Sequence, residues 1–464
     1  MAYLGLLRAS SRSTLNSTLW NFSLIGISTH FSGGPEGTPV TRRLDDAVLA
    51  DVDHRLAAAD AHLAACYPGD DGRRQPVHTV YVPANRYAVT TPTDWGSAAL
   101  AAAGSAGGLD AVAALVGADE GTDCAPDTLA ALVDHKLRTE PIEDLRIDFE
   151  DGYGTFDDTT EDADVESALA ALRSAIDEGS STPFVGIRFK CLEAGTRARG
   201  LRTLDMFVSG LVESGGLPDG LTLTLPKVTS VDQVEAMVAV ASALEATNGL
   251  PAGRIRFEVQ VETPQAILGA DGRAPVAQFI HAGQGRVSSL HYGTYDYSAS
   301  LGIAAAYQSM EHPAADHAKN VMQLAVAGTG VHMSDGSTNI LPVGDPDSIA
   351  MAWTLHARLV RRHLERGIYQ GWDMHPAQLV TRYLSTYAFY RRAFGPAATR
   401  LRNYVHRLDS TVMDEPATAR ALASVIHRGS VCGALTGDEI ETATDISTST
   451  VRDIALGRTI RSTP

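Results

Sequence analysis

Lysine is nearly missing from this chain of 464 residues. Lys136, Lys190, Lys227 and Lys319 are the whole set, and arginine carries the remaining positive charge. The 38 Lys and Arg stand against 55 Asp and Glu, which leaves a formal charge of −17. No segment gathers the clustered cations that a phosphate backbone requires, so no nucleic-acid partner is expected. Cysteine is equally scarce. Cys66, Cys124, Cys191 and Cys432 form no C-x-x-C pair and no zinc-finger spacing. That excludes a disulfide framework and a structural zinc site, and a reducing, cytoplasmic compartment is expected. No window reaches the roughly 18 apolar residues of a membrane span, so no membrane partner is expected. No G-x-G-x-x-G follows the first strand-like run, which speaks against an open dinucleotide-binding sheet.

What is present is enough apolar content, 44%, to bury a large core. Strand-like runs recur: "PVHTVYVPAN" from Pro76, "LRIDFED" from Leu145, "FVGIRFK" from Phe184 and "LTLTLPKV" from Leu221. "RIRFEVQVET" from Arg254, "VSSLHYGTYDY" from Val287, "GVHMSDGS" from Gly330 and "GIYQGWDMHP" from Gly367 complete the series. Amphipathic or Ala-rich helical segments separate them, among them "DVESALAALRSAIDEG" and "SVDQVEAMVAVASALEATNG". Alternating strands and helices predict a parallel sheet, and eight of them predict a closed (β/α)8 TIM barrel of about 250 to 300 residues.

The expected boundaries are a flexible leader over 1–34, the barrel with a preceding helix over 35–379, and a C-terminal helical extension over 380–464. An insertion is expected near 191–206. The leader holds Arg8 and Arg12 and no acid before Glu36. It reads as a disordered segment or an upstream start more than as a transit peptide. The N-x-S/T matches at Asn16 and Asn21 matter only in a secreted protein. The tail from Asp438 reads as mixed and polar.

"RIDFEDGYG", Arg146 to Gly154, poses the sharpest question. Ile147 and Phe149 alternate with Arg146, Asp148 and Glu150, so the charged set shares one face of a strand. That face looks either to solvent or into a cavity. The other strand-like runs decide between the two. Arg188 and Lys190 end the third, Lys227 the fourth, Glu262 the fifth, Asp296 the sixth and Asp335 the seventh, while Asp373 and His375 follow the eighth. Polar residues at nearly every C-terminal strand end mark the face on which barrel enzymes hold their active sites. The acids of "DFED" are therefore expected in the mouth of the barrel.

Five segments then resemble one family. "VQVETPQAIL" followed by "YGTYDYSASLG" is similar to the metal-site pair of the HpcH/HpaI aldolase and citrate-lyase β-subunit superfamily. "RIDFEDGYG" resembles its acidic strand, and "GIRFK" stands where the family carries its active-site arginine. "LTLTLPKVTSVDQVEAM" resembles its L-P-K-x-E-S segment, and "GIYQGWDMHPAQL" its closing I-H-P-x-Q run. Order and spacing agree from about Val77 to Leu379. "GTRARGLRTLDMF" and "YGTYDYS" resemble segments of the related malate synthases more faintly. Phe189 and Lys190 follow Arg188 where many relatives have Val-Asn, which leaves the substrate open.

The resemblance implies that Glu262 and Asp296 ligate a hard cation, Mg²⁺ or Mn²⁺, and leave positions for a 2-oxo acid. A strand-ending role for Glu262 and a helix cap for Asp296 are the plainer alternatives. Arg188 is expected to hold the enolate oxygen or substrate carboxylate, or to pair within the barrel with Glu150. Asp148, Glu150 and Asp151 are expected to orient Arg188 and bound water, and one of them to serve as a base through water. Lys227 lies among acids that raise its pKa, which disfavours a Schiff base. Asp148, Lys227, Gly293, Asp335 and His375 are the candidates for substrate contact, with capping or structural hydrogen bonding as the alternative for the last two. Arg197 and Arg199 face either a distal anion or solvent. His291 and His332 lie off the best polar positions.

The implied activity is a metal-dependent C–C lyase of aldolase type acting on a 2-oxo-4-hydroxy acid through a pyruvate-like enolate. An acyl-CoA lyase or a malate-synthase-like reaction of acetyl-CoA with glyoxylate is the alternative, with a CoA thioester as substrate. A catalytically silent metal-binding protein is the third reading. A homo-oligomer is expected, with the segment after the last strand packed on a neighbour.

Overall fold

In a computed structural model, residues 44–121, 126–408 and 414–458 are described. The expected leader and the two glycosylation matches lie outside them. The chain divides into two units, Met1–Ala59 and Asp60–Pro464. The described part of the first unit is the start of the helix Asp46–Cys66, which has no buried side chain.

The second unit is built on eight strands. They are β1 (His78–Pro83), β2 (Asp144–Asp148), β3 (Phe184–Arg188), β4 (Leu223–Leu225), β5 (Phe257–Val261), β6 (Val287–Tyr292), β7 (His332–Ser334) and β8 (Gly371–Asp373). All pair in parallel in chain order, and β8 returns to lie beside β1. A bridge between Ser334 and Gln370 and the bond from Asp335 N–H to the Gln370 carbonyl, 2.9 Å, join the two ends of the sheet. The result is the expected (β/α)8 barrel, because each parallel pair needs a crossover and helices supply it.

Period-two patterning explains how the strands are used. Leu145, Ile147 and Phe149 go outward into the core beneath the helices. Asp144, Arg146 and Asp148 go the other way and are also buried. Arg146 crosses the interior to Glu258 on β5, 2.6 Å, and to Thr224 on β4, 3.1 Å, and pairs with Asp144. The lumen of this barrel is therefore charged, where branched apolar side chains usually fill it.

Residues 191–206 lead into the crossover helix Arg197–Glu213. Arg199 and Arg202 there pair with Asp162 of the helix Asp158–Asp177, 2.7 and 2.5 Å, and Arg197 donates to the Leu192 carbonyl. Past β8 a helix of 31 residues, Pro376–His406, runs on, followed by Pro416–Val431, Gly437–Thr444 and Thr448–Ala455. The polar-looking tail is thus two short helices. Ile440, Val451 and Ile454 join Leu401, Ala423 and Ile426 in a small core of their own. Among the described residues no single helix is long and apolar enough to cross a membrane.

Candidate active site

The C-terminal strand ends enclose a cavity of about 560 Å³, lined among others by Asp148, Asp151, Arg188, Glu262 and Asp296. Arg188, the last residue of β3, is buried and fixed from two directions. Its Nε and Nη2 donate to the Asp148 carboxylate at 2.6 and 2.7 Å. Its guanidinium lies 4.7 Å from the Tyr81 ring centre and 5.7 Å from that of Trp372, within cation–π range. Burial disfavours the charge, but the Asp148 carboxylate outweighs it and holds the pKa well above the ordinary arginine value.

Asp148 is saturated. Besides Arg188 it accepts the backbone N–H groups of Glu150, 3.0 Å, and Gly152, 2.9 Å. The turn needs glycine at 152, since a Cβ there would sit 2.7 Å from Asp148 Oδ2. Asp148 thus positions the arginine and has little capacity left for a ligand.

Lys227 Nζ bridges Glu150 and Asp151 at 2.7 and 2.6 Å and stands 3.9 Å from Asp296. Burial alone would lower its pKa, but the bonds to Asp151 and Glu150 raise it instead. A lysine held as a cation is a poor Schiff-base nucleophile. Its backbone is left-handed, φ 51°, a strained geometry for a residue with a Cβ. That turn aims its N–H at Glu262 Oε1, 2.8 Å away. Burial raises the pKa of Glu150, whereas Asp151 is lowered: burial opposes its ionisation, but bonds from Glu150 and Lys227 prevail.

Glu262 follows β5 and is only 2% exposed. Burial pushes its pKa up to about 8, against the pull of the Arg188 cation. Asp296 is in the first turn of the helix Thr294–Ser300, and its side chain is 49% exposed. It does not cap that helix; Gly293 holds the cap position. Gly293 contributes by what it lacks: a Cβ would meet Glu262 Cβ at 2.5 Å and Oε2 at 2.6 Å. Two carboxylates on a cavity wall, one of them buried without enough positive charge, fit a hard divalent cation that takes its remaining ligands from water or substrate. Among the described residues no group of three or more protein ligands gathers anywhere.

Asp335 and His375 are not among the residues that line the cavity. Asp335 is buried against Lys319, 2.9 and 3.0 Å, and accepts the Gly336 N–H. His375 Nδ1 accepts the Ala377 N–H and caps the long helix. His291 sits in the lumen 3.1 Å from Glu258, and His332 lies at the opposite end of the barrel. The aromatic pair Tyr81 and Trp372 escaped the sequence reading. So did Arg86 and Tyr295, which also line the cavity. The available signal was the inward register of Tyr81 between Val80 and Val82.

The family model DUF6986, described as a domain of unknown function, matches residues 56–459. No curated protein matches the chain. Among solved structures, a citrate lyase from Burkholderia xenovorans LB400 aligns with a TM-score of 0.54 at 18% identity, over 81% of this chain and 97% of that one. A Haloferax volcanii malate synthase, as its magnesium/glyoxylate complex, aligns at 0.45 and 15% identity, over 83% and 98%. The citrate lyase β subunit of M. tuberculosis, complexed with oxaloacetate and magnesium, aligns at 0.40 and 17%, over 68% and 99%. The first of these shares the barrel fold with this chain.

Proposed function

We propose that this chain, which belongs to the DUF6986 family, is a divalent-metal-dependent C–C lyase of aldolase type. Its substrate class is a 2-oxo-4-hydroxy acid, and the reaction passes through a pyruvate-like enolate. The observation that carries this reading is Glu262: a buried carboxyl held at a pKa of about 8 beside Asp296, in the same cavity as a fixed arginine. Motif order along the chain supports it as well.

Glu262 and Asp296 would hold Mg²⁺ or Mn²⁺, which supplies Lewis acidity at the 2-oxo group. Arg188 binds the substrate carboxylate or enolate oxygen. With Nε and Nη2 committed to Asp148, Nη1 is the donor left to face the cavity, 3.6 Å from Glu150 and 3.8 Å from Asp151. Asp148 and the Tyr81–Trp372 pair keep that guanidinium from turning, so its orientation is set before substrate arrives. Asp151 lines the cavity and its lowered pKa keeps it ionised, if weakly basic; the 4-hydroxyl proton passes to it through water as the C3–C4 bond breaks, and from there to the enolate carbon. Lys227 keeps Asp151 ionised and orders Glu262 through its own N–H.

The test is proton NMR of pyruvate in D₂O, following exchange of the methyl protons. With Mg²⁺ the wild type should exchange them, EDTA should stop it, and Glu262→Ala should lose at least about 100-fold, the scale on which removing one electrostatic contact to the transition state is felt. No exchange by the metal-loaded wild type would sink the aldolase reading.

A further inference from the structure

At the opposite end of the barrel a second, smaller cavity of about 150 Å³ lies among the strand starts. Arginines line it at positions 73, 74, 146, 254 and 256. Three are already committed. Arg146 is held by Asp144 and Glu258, Arg74 by Glu140 and Glu143, and Arg73 by Asp71. The other two meet no carboxylate among the described residues. Arg254 donates only to the carbonyls of Leu217 and Pro218, 3.0 and 2.6 Å. Arg256 Nε is shielded from solvent and has no acceptor at all. Ser288 Oγ, on the neighbouring strand, is shielded and unpartnered in the same way. These two residues flank the paired positions Phe257 and Val287, so both belong to the same corner of the lumen.

Buried donors without acceptors are costly and point to a partner that would accept from them. The acids on the wall do not fill that role: Asp144 and Glu258 answer Arg146, and Asp219 sits exposed at the rim. This cavity, at about 150 Å³, is well below the roughly 300 Å³ at which pockets for drug-sized ligands begin, and Arg73 and Arg256 also line a larger cavity of about 520 Å³ beside it.

We propose that this N-terminal mouth is a binding site for a small oxyanion, inorganic phosphate or a short carboxylate, held by Arg256, Arg254 and Ser288. It is separate from the catalytic face and independent of the lyase reading. A planar guanidinium and a hydroxyl suit either anion, and the two sources are separated by experiment.

Titration calorimetry of the full chain, at fixed ionic strength, would use inorganic phosphate in one arm and acetate in the other. One site should appear in at least one arm, and the arm identifies the anion. Arg256→Met should weaken it by at least about tenfold, or 1.4 kcal/mol. If that variant does not fold, Ser288→Ala and Arg254→Met carry the same test, each expected to weaken binding severalfold while the far-UV spectrum is unchanged. No heat in either arm up to about 10 mM, which corresponds to less than about 3 kcal/mol of binding, would overturn the proposal. So would binding that all folded variants retain in full.

Discussion

Glu262 is a carboxyl group in a place that penalises its charge. Its ordinary pKa of 4.5 rises to about 8 in the fold, chiefly through burial. The sign follows from linkage: a group raised by folding contributes stability that is fully present below its unfolded pKa and is lost as pH rises through the folded one. The metal-free protein should therefore weaken relative to Glu262→Gln between about pH 5 and 8, by an amount on the order of a few kcal/mol. Urea denaturation of both proteins in EDTA at several pH values measures the difference. Mg²⁺ should flatten it and release protons at pH 7, since a ligand carboxylate must ionise. A pH-independent difference would mean that Glu262 is solvated and ionised throughout. The acidic candidates were legible because charge at a strand end is conspicuous in sequence. Tyr81 and Trp372 were not, because an inward aromatic leaves the same alternation as a core residue. Nothing local marks Asp335 as the partner of Lys319, sixteen residues back on another element.

Each element owes its place to neighbours as much as to its own pattern. The junction from β6 through Gly293 into the helix Thr294–Ser300 shows this. It carries Asp296 into the cavity while passing against Glu262 from β5, and the Gly293 N–H bonds the Val261 carbonyl at 3.1 Å. Only a residue without a Cβ fits there. Gly293→Ala should push the β6 junction and Glu262 apart by a fraction of an ångström to an ångström. Misplacement on that scale costs about 100-fold in rate. Pyruvate exchange should fall accordingly, and the apparent Mg²⁺ affinity should fall with it, while the melting temperature shifts by only a few degrees. Full activity in this variant would show that Glu262 and Gly293 are not in register as described. The eight strands were readable because alternation survives in each. β4, β7 and β8 are nonetheless just three residues long, shorter than their quoted runs. The two last short helices were not readable, because they bury few side chains each and depend on the helices Pro376–His406 and Pro416–Val431 that they pack against.

The barrel as a whole carries charge at its centre. Asp144, Arg146 and Glu258 form a buried triad, and Glu258 also accepts from Thr224, 2.6 Å, and Tyr81, 3.1 Å. Tyr81 in turn carries the ring on which Arg188 rests. A continuous set of contacts thus runs from the N-terminal mouth to the cavity at the C-terminal strand ends. Such a triad is weak support for stability in itself, since taking three charges out of water offsets most of their attraction. Removing one member is another matter, because it strands the rest. Arg146→Met should destabilise the chain by about 3–5 kcal/mol, leaving two carboxylates facing each other in the lumen. Replacing all three, as Asp144→Leu with Arg146→Met and Glu258→Leu, should recover most of that loss. Urea midpoints of the wild type, the single and the triple variant decide the matter. A single variant as stable as the wild type would mean that water reaches the lumen and screens the triad. A triple variant no better than the single one would mean that the hydrogen bonds to Thr224 and Tyr81, not the charges, hold the barrel together. If the triad's chief role is to seat Tyr81 under Arg188, the triple variant should regain stability and still lose pyruvate exchange, which separates folding from function in one experiment.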